Sequence, residues 1–220
     1  MFRRLLINYG NLFILRHGQT TPNAKGYWYN DDEEDINSTG IEQARSVAEK
    51  IRIIDPEVVF SSPLRRCVHT AELVLDHANP SAFILNPGLS ERYLKALEGL
   101  DSAGIREKYD VEMDFPTSTR IDHLPDIERS DIFRNRVNTA FEEIMREGSG
   151  KRILVITHGG VMWAFLDIYL GMHTIKPKTF NNCALLGVNS LHGNFVPTLS
   201  VNMREDWYSH VNPSWRGLPL

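Results

Sequence analysis

Three short stretches of this 220-residue chain carry side chains that could do chemistry together: Arg16-His17-Gly18, Ser61-Ser62 leading to Arg66, and His158-Gly159-Gly160. Two arginines and two imidazoles at the starts of helices make an anion site, because guanidinium forks and free backbone N–H groups match phosphate oxygens. Phosphate is the natural ligand. One imidazole could do more than bind. A neutral ring nitrogen aimed at phosphorus is a nucleophile when the other nitrogen is held as a donor to a carbonyl or carboxylate. The product would be a phosphohistidine intermediate.

The elements that must position these residues can be read from hydrophobic periodicity. Asn11 to Leu15 is an apolar run of the kind found in buried strands, and it ends at Arg16-His17-Gly18. Thr39 and Glu42 form a capping box for an amphipathic helix through Ile41, Ala44, Val47, Ala48 and Ile51. Val58-Val59-Phe60 predicts a second strand, after which Ser62 supplies an N-cap and Pro63 a first helical position, with Arg65 and Arg66 in the first turn. Phe83-Ile84-Leu85 is a third strand. The chain from Asn86 to Leu124 reads as loop, broken by Gly88, Gly99, Gly104 and Pro116. A helix through Phe133, Val137, Ala140, Phe141 and Ile144 ends at Gly148-Ser149-Gly150. Arg152 to Thr157 then predicts a strand that stops at His158, followed by helix from Val161 to Leu170. The runs Ala184 to Val188 and Phe195 to Val201 flank a turn and predict an antiparallel addition.

Strands alternating with helices imply an α/β fold, a three-layer α/β/α sandwich with a mostly parallel central sheet, which binds ligands outside the carboxyl ends of its strands. Arg16-His17, Ser61-Ser62 and His158 all fall at such ends, so topology brings together residues over 140 positions apart. One domain spanning residues 1–220 is expected, with 86–125 as a region that covers the site.

Composition bounds the alternatives. With 24 Lys+Arg against 28 Asp+Glu the formal charge is −4, which argues against general affinity for nucleic acid or an anionic membrane. The most apolar window, Ile153 to Leu170, contains His158 and Asp167, so as a membrane span it would bury an imidazole and an acid. Arg3-Arg4 precede too short an apolar run for a signal peptide. Two cysteines, Cys67 and Cys183, are too few for a disulfide scaffold and lack zinc spacing, which makes a reducing cytoplasm the expected compartment.

The stretch LFILRHGQTTPN, Leu12 to Asn23, resembles the signature of the histidine phosphatase superfamily, which includes the cofactor-dependent phosphoglycerate mutases. SSPLRRCVHTAE, Ser61 to Glu72, is similar to its second motif, and ITHGG, Ile156 to Gly160, to its third. LSERYLKALEGL, Leu89 to Leu100, resembles the segment that carries the general acid. The resemblance implies a phosphoglycerate mutase-like fold. It also implies that His17 is the nucleophile, that Arg16, Arg66, His158 and Gly159 hold the phosphoryl group, and that Glu91 protonates the leaving oxygen. Asn23, Arg92 and Tyr93 would contact a small phosphorylated substrate. No metal and no cofactor is implied.

The branch of the family is a separate question. Glu91-Arg92-Tyr93 followed by Gly99-Leu100 looks mutase-like, but the lysine, arginine pair and proline run that clamp a mutase's substrate carboxylate have no counterpart, and Asp101-Ser102 stand instead. Where many phosphatases carry Gly-Glu-Ser, this chain has Ile127-Glu128-Arg129. A phosphomonoester hydrolase is the expected activity. The alternatives are a mutase-type phosphotransferase, a phosphate-binding module without turnover, and a metalloenzyme, the last opposed by the lack of HExxH or paired HxH. Several residues have plainer readings beside the functional ones. Arg65 is a solvated arginine, Asn23 caps a turn, Tyr27, Trp28 and Tyr29 pack or line the substrate mouth, and Asp31 to Asp35 form a solvated charge run.

Overall fold

The computed structural model describes residues 11–29, 31–76, 78–112, 118–172, 180–191 and 194–203. The N-terminal Arg3-Arg4 segment and His77, His173, His192 and His210 lie outside them. Four short strands form the parallel part of the sheet: β1 (Leu12–Arg16), β2 (Val58–Ser61), β3 (Ala82–Leu85) and β4 (Ile153–Thr157). Two longer ones, β5 (Phe180–Leu191) and β6 (Asn194–Met203), extend it antiparallel beside β1. The order is β3-β2-β4-β1-β5-β6. β1 and β4 run side by side, Leu12 opposite Ile153 and Arg16 opposite Thr157, and this register brings their carboxyl ends level.

Both faces of the central strands are covered, which is why their sequences are continuous apolar runs. Leu12, Ile14, Phe60 and Val155 pack on one side against Phe133, Val137, Phe141 and Ile144 of α5 (Ser130–Glu147) and Phe165 of α6 (Gly159–Leu170). Phe13, Leu15, Val59, Leu154 and Ile156 pack on the other against Ala44, Val47 and Ile51 of α2 (Ser38–Ile54) and Cys67, Ala71 and Val74 of α3 (Arg65–Val74). Each such aliphatic or aromatic side chain contributes about 1.5–3 kcal/mol on burial. The result is the expected three-layer sandwich. No described helix is long and apolar enough to cross a membrane.

Several local expectations are corrected. The α2 helix is capped by Asn37, whose side chain accepts from Gly40 N at 2.9 Å, so Thr39 lies inside the helix and the Thr39–Glu42 capping box does not form. Asn37 wins because its amide also donates to Gln19 Oε1, tying the helix start to the loop after β1. Helix α3 begins at Arg65 behind Leu64 with no side-chain cap; the Ser62 hydroxyl accepts from Leu64 N at 3.3 Å, just ahead of the helix, and meets His158 Nε2. A five-residue helix, α1 (Thr21–Lys25), was not anticipated. Thr20 caps it in a box completed by Asn23.

The 86–124 segment is not all loop. It holds α4 (Ser102–Tyr109), capped by Asp101 on Gly104 N, and single 3-10 turns at Pro87–Leu89, Lys95–Leu97 and Thr119–Ile121. Leu94, Leu97, Ile105, Val111 and Ile121 form a small core of their own beneath it. Strand β5 starts at Phe180, ahead of the run read from sequence. Cys183 stands there in the left-handed region at φ 54°, beside a register shift against β6, so the apolar alternation is broken.

Candidate active site

The carboxyl ends of β1, β2 and β4 open into a cleft of about 570 Å³ whose floor includes Arg16, His17, Arg66, Glu91, His158 and Gly159. The ladder between β1 and β4 continues one step past the strands, with His17 N donating to Thr157 O at 2.9 Å. The main chain then turns sharply. A Cβ on Gly18 would stand 2.7 Å from Gly40 O, and one on Gly40 2.3 Å from Gln19 O, so only glycine at both places lets the turn meet the start of α2. Gly18 N donates to Thr70 Oγ1 at 3.0 Å, and Thr70 in turn donates to Arg66 O, coupling the His17 turn to α3.

His17 Nδ1 lies 2.7 Å from Gly18 O. A carbonyl only accepts, so Nδ1 carries the proton and Nε2 keeps its lone pair. His158, the residue before α6, has Nε2 2.8 Å from Ser62 Oγ and 3.4 Å from the Cys67 thiol. The two rings meet edge to face at 5.1 Å between centroids. Burial, and then the charge of Arg66, hold both imidazoles well below the usual histidine range, so both are neutral at pH 7. Burial also pushes the Cys67 thiol up to about 12, which leaves it unreactive.

Arg16 donates through Nη1 to Phe180 O at 2.7 Å, while its buried Nε has no hydrogen-bond partner among the described residues. A buried cationic donor without an acceptor is costly unless a ligand supplies one. Gly159 lies against the same guanidinium. Arg66 is 6% exposed and donates to Asp31 O at 3.0 Å. Glu91 stands across the floor. Its Oε2 accepts from Gly160 N in the first turn of α6 at 3.0 Å and its Oε1 from Arg92 N at 2.9 Å.

Asn23 lines the cleft and also closes the α1 cap, with its Oδ1 accepting from Asn182 Nδ2 at 3.0 Å. Tyr27, Trp28, Tyr29, Trp163 and Phe180 supply aromatic walls. Arg92 and Tyr93 are not brought in. Arg92 is fully buried, and its guanidinium donates to Asp122, Ser118 O and Glu128 O, because it forms the centre of the segment behind the acid. Tyr93 is half exposed and is not among the residues that line the cleft. The acidic run after Tyr29 is also more than a solvated loop: Asp31 O holds Arg66, and Asp35 pairs with Arg65 and His69.

Thr70 and Asn182 go unmarked in the sequence, and Ser62, though placed at the strand end beside the site, reads there as a helix cap. Only the packing of β4 against β2 brings His158 to the Ser62 hydroxyl. Asn182 sits in the polar break that hid the start of β5, where it donates to His17 O at 3.2 Å. Among the described residues no group of three or more His, Cys, Asp or Glu side chains is placed to hold a metal ion.

The model of the histidine phosphatase superfamily, branch 1, matches residues 12–201 of the chain. The chain belongs to that superfamily. A metal-independent phosphoserine phosphatase of Arabidopsis thaliana is 33% identical over 162 residues, covering 72% of this chain and 67% of the relative. A broad-specificity phosphatase of Saccharomyces cerevisiae is 34% identical over 165 residues, 71% of this chain and 68% of its own length. Among solved structures, YhfR of Bacillus stearothermophilus superposes with a TM-score of 0.75 over 91% of this chain and 98% of that one. At 18% identity that likeness speaks for the fold alone. Membership of the superfamily and the kinship with phosphatases make the protein a histidine phosphatase, an enzyme of phosphate-ester hydrolysis.

Proposed function

We propose that this histidine phosphatase hydrolyses phosphomonoesters of small metabolites through a phosphohistidine formed on His17. The observation that carries the reading is the pairing of His17, whose Nδ1 is held by Gly18 O, with an Arg16 Nε that has no partner among the described residues, in the same floor. In the first step Nε2 of His17 attacks phosphorus in line with the ester oxygen, the P–O bond breaks, and the leaving oxygen takes the proton of Glu91. Arg16, Arg66 and His158 meet the charge on the equatorial oxygens with donors already in place. A Ser62 hydroxyl that donates to Nε2 of His158 leaves Nδ1 as its protonated, donating nitrogen. In the second step water attacks the phosphohistidine, Glu91 removes its proton, the N–P bond breaks, and inorganic phosphate leaves.

Release to water rather than return to a second hydroxyl follows from the sequence, which lacks the clamp lysine, arginine pair and proline run of a mutase. Retaining an intermediate for re-phosphorylation requires binding energy on its carboxylate while water is excluded. Two buried free thiols, Cys67 and Cys183, fit a reducing cytoplasm. A phosphate-release screen across phosphoamino acids, sugar phosphates, nucleotides and phosphoglycerates tests the reading. Turnover that survives exhaustive chelation, with phosphate as the product, is expected. Primer-dependent interconversion of phosphoglycerates with negligible phosphate release would contradict it, as would activity restored only by an added divalent metal.

A further inference from the structure

Glu91 has no strand beneath it to fix its position. The turn that carries it, Pro87–Leu89 and the two residues after, is instead held by its carbonyl oxygens. Leu89 O accepts from Thr157 Oγ1 at 2.8 Å, at the very end of β4. The carbonyls on either side all point to one guanidinium: Arg136 of α5 donates through Nη1 to Gly88 O and Ser90 O, both at 2.9 Å, and through Nη2 to Glu91 O at 3.4 Å. The turn is pressed onto α5 so closely that a Cβ on Gly88 would stand 2.7 Å from that of Ala140.

Arg136 is itself aimed. Its Nε and Nη2 form a two-pronged pair with Glu128 at 2.9 and 2.8 Å, the planar geometry that a guanidinium offers and an ammonium does not. The second oxygen of Glu128 also accepts from Tyr93 N at 3.2 Å, so the chain is gripped on the far side of Glu91 as well. Arg136 does not line the cleft, and its charge is the least of the influences that hold the His158 imidazole down.

We propose that Arg136, set by Glu128, is a positioning residue that fixes the Glu91 carboxyl over the leaving oxygen. The inference rests on the reading of Glu91 as the proton donor. Its consequence is selective, because a displaced acid slows esters that need a proton on departure and spares those that do not. A misplacement of about 1 Å can cost about 10²-fold.

The test compares an alkyl phosphate with an aryl phosphate of good leaving group in four variants. Read as kcat/KM, which reports formation of the phosphohistidine and not its hydrolysis, Glu91→Gln is expected to slow the alkyl ester by about 10²–10⁴-fold and the aryl ester much less. Arg136→Met is expected to lower kcat/KM on the alkyl ester by about 10–10²-fold with vanadate inhibition unchanged, and to add nothing to Glu91→Gln in the double variant. Arg136→Lys keeps the charge without the fork and is expected to fall with Arg136→Met. Glu128→Gln, which preserves shape if the arginine variants fold poorly, is expected to show the same selectivity in weaker form. Equal losses of kcat/KM on both esters in Glu91→Gln would remove the acid assignment and this inference together. A selective Glu91→Gln beside an unselective or additive Arg136→Met would overturn the inference alone, as would full recovery by Arg136→Lys.

Discussion

The floor of the cleft and the segment that carries Glu91 are built in opposite ways, and two arginines show the difference. Arg16 extends a strand, β1, whose ladder with β4 sets its place, and it leaves a buried Nε without a partner among the described residues. Arg92 lies in irregular chain and is fully buried, and its guanidinium joins Asp122, Ser118 O and Glu128 O from three parts of that chain. The first arginine is held by the fold. The second holds the fold around itself. A cation supported by the sheet can keep a donor for a ligand, whereas one that organises a loop must spend its donors on carbonyls.

Removing the two should therefore separate stability from activity. Arg92→Met breaks the ion pair with Asp122 and leaves the carbonyls of Ser118 and Glu128 without their donor, and a loss of about 3–5 kcal/mol of folding stability is expected in chemical denaturation. Arg16→Met removes a donor that meets charge in the transition state, so kcat/KM should fall by about 10²–10³-fold. Its melting temperature should hold or rise, since an incompletely paired buried cation disfavours the folded state. A strongly destabilised Arg16→Met with a stable Arg92→Met would invert the comparison.

A smaller effect probes the floor through pH. Both site histidines titrate well below the ordinary value of 6.5 in the folded protein, chiefly through burial and next through Arg66. As pH falls below about 6.5 the unfolded chain takes up protons that the folded one refuses, so stability present at neutral pH is lost toward acid. Each histidine contributes a slope of about 1.4 kcal/mol per pH unit in that range. Thermal melts of the ligand-free protein across it should show the decline, and His158→Asn should remove the share of one histidine. An unchanged slope in that variant would show that His158 protonates freely in the fold.

The same contrast explains what could be read from sequence. The runs LFIL and ILVIT announce buried strands because both of their faces are covered, and the polar tripeptides that follow are then placed by topology. His17, Arg66 and His158 were legible on that ground, and Glu91 through its family-like segment. The role of Arg92 was not. Its partners Ser118, Asp122 and Glu128 are 26 to 36 residues further on, and nothing in local periodicity marks an arginine as the centre of a polar core. The helix Ser102–Tyr109 was hidden for a related reason, since it buries only Ile105 and so shows no apolar stripe. Ser62 and Asn37 show a third limit, in which two side chains of capping type compete and tertiary partners decide.

The central claim is that the phosphoryl group passes through His17, and trapping the adduct tests it most directly. The phosphatase would be mixed with a labelled aryl phosphate and quenched in alkali within a turnover, using Glu91→Gln to slow the second step so that the intermediate accumulates. The account predicts a base-stable, acid-labile label that maps to His17 after digestion and is absent from His17→Ala, with activity on the same ester lost. Label on another residue, or unimpaired turnover by His17→Ala, would contradict it.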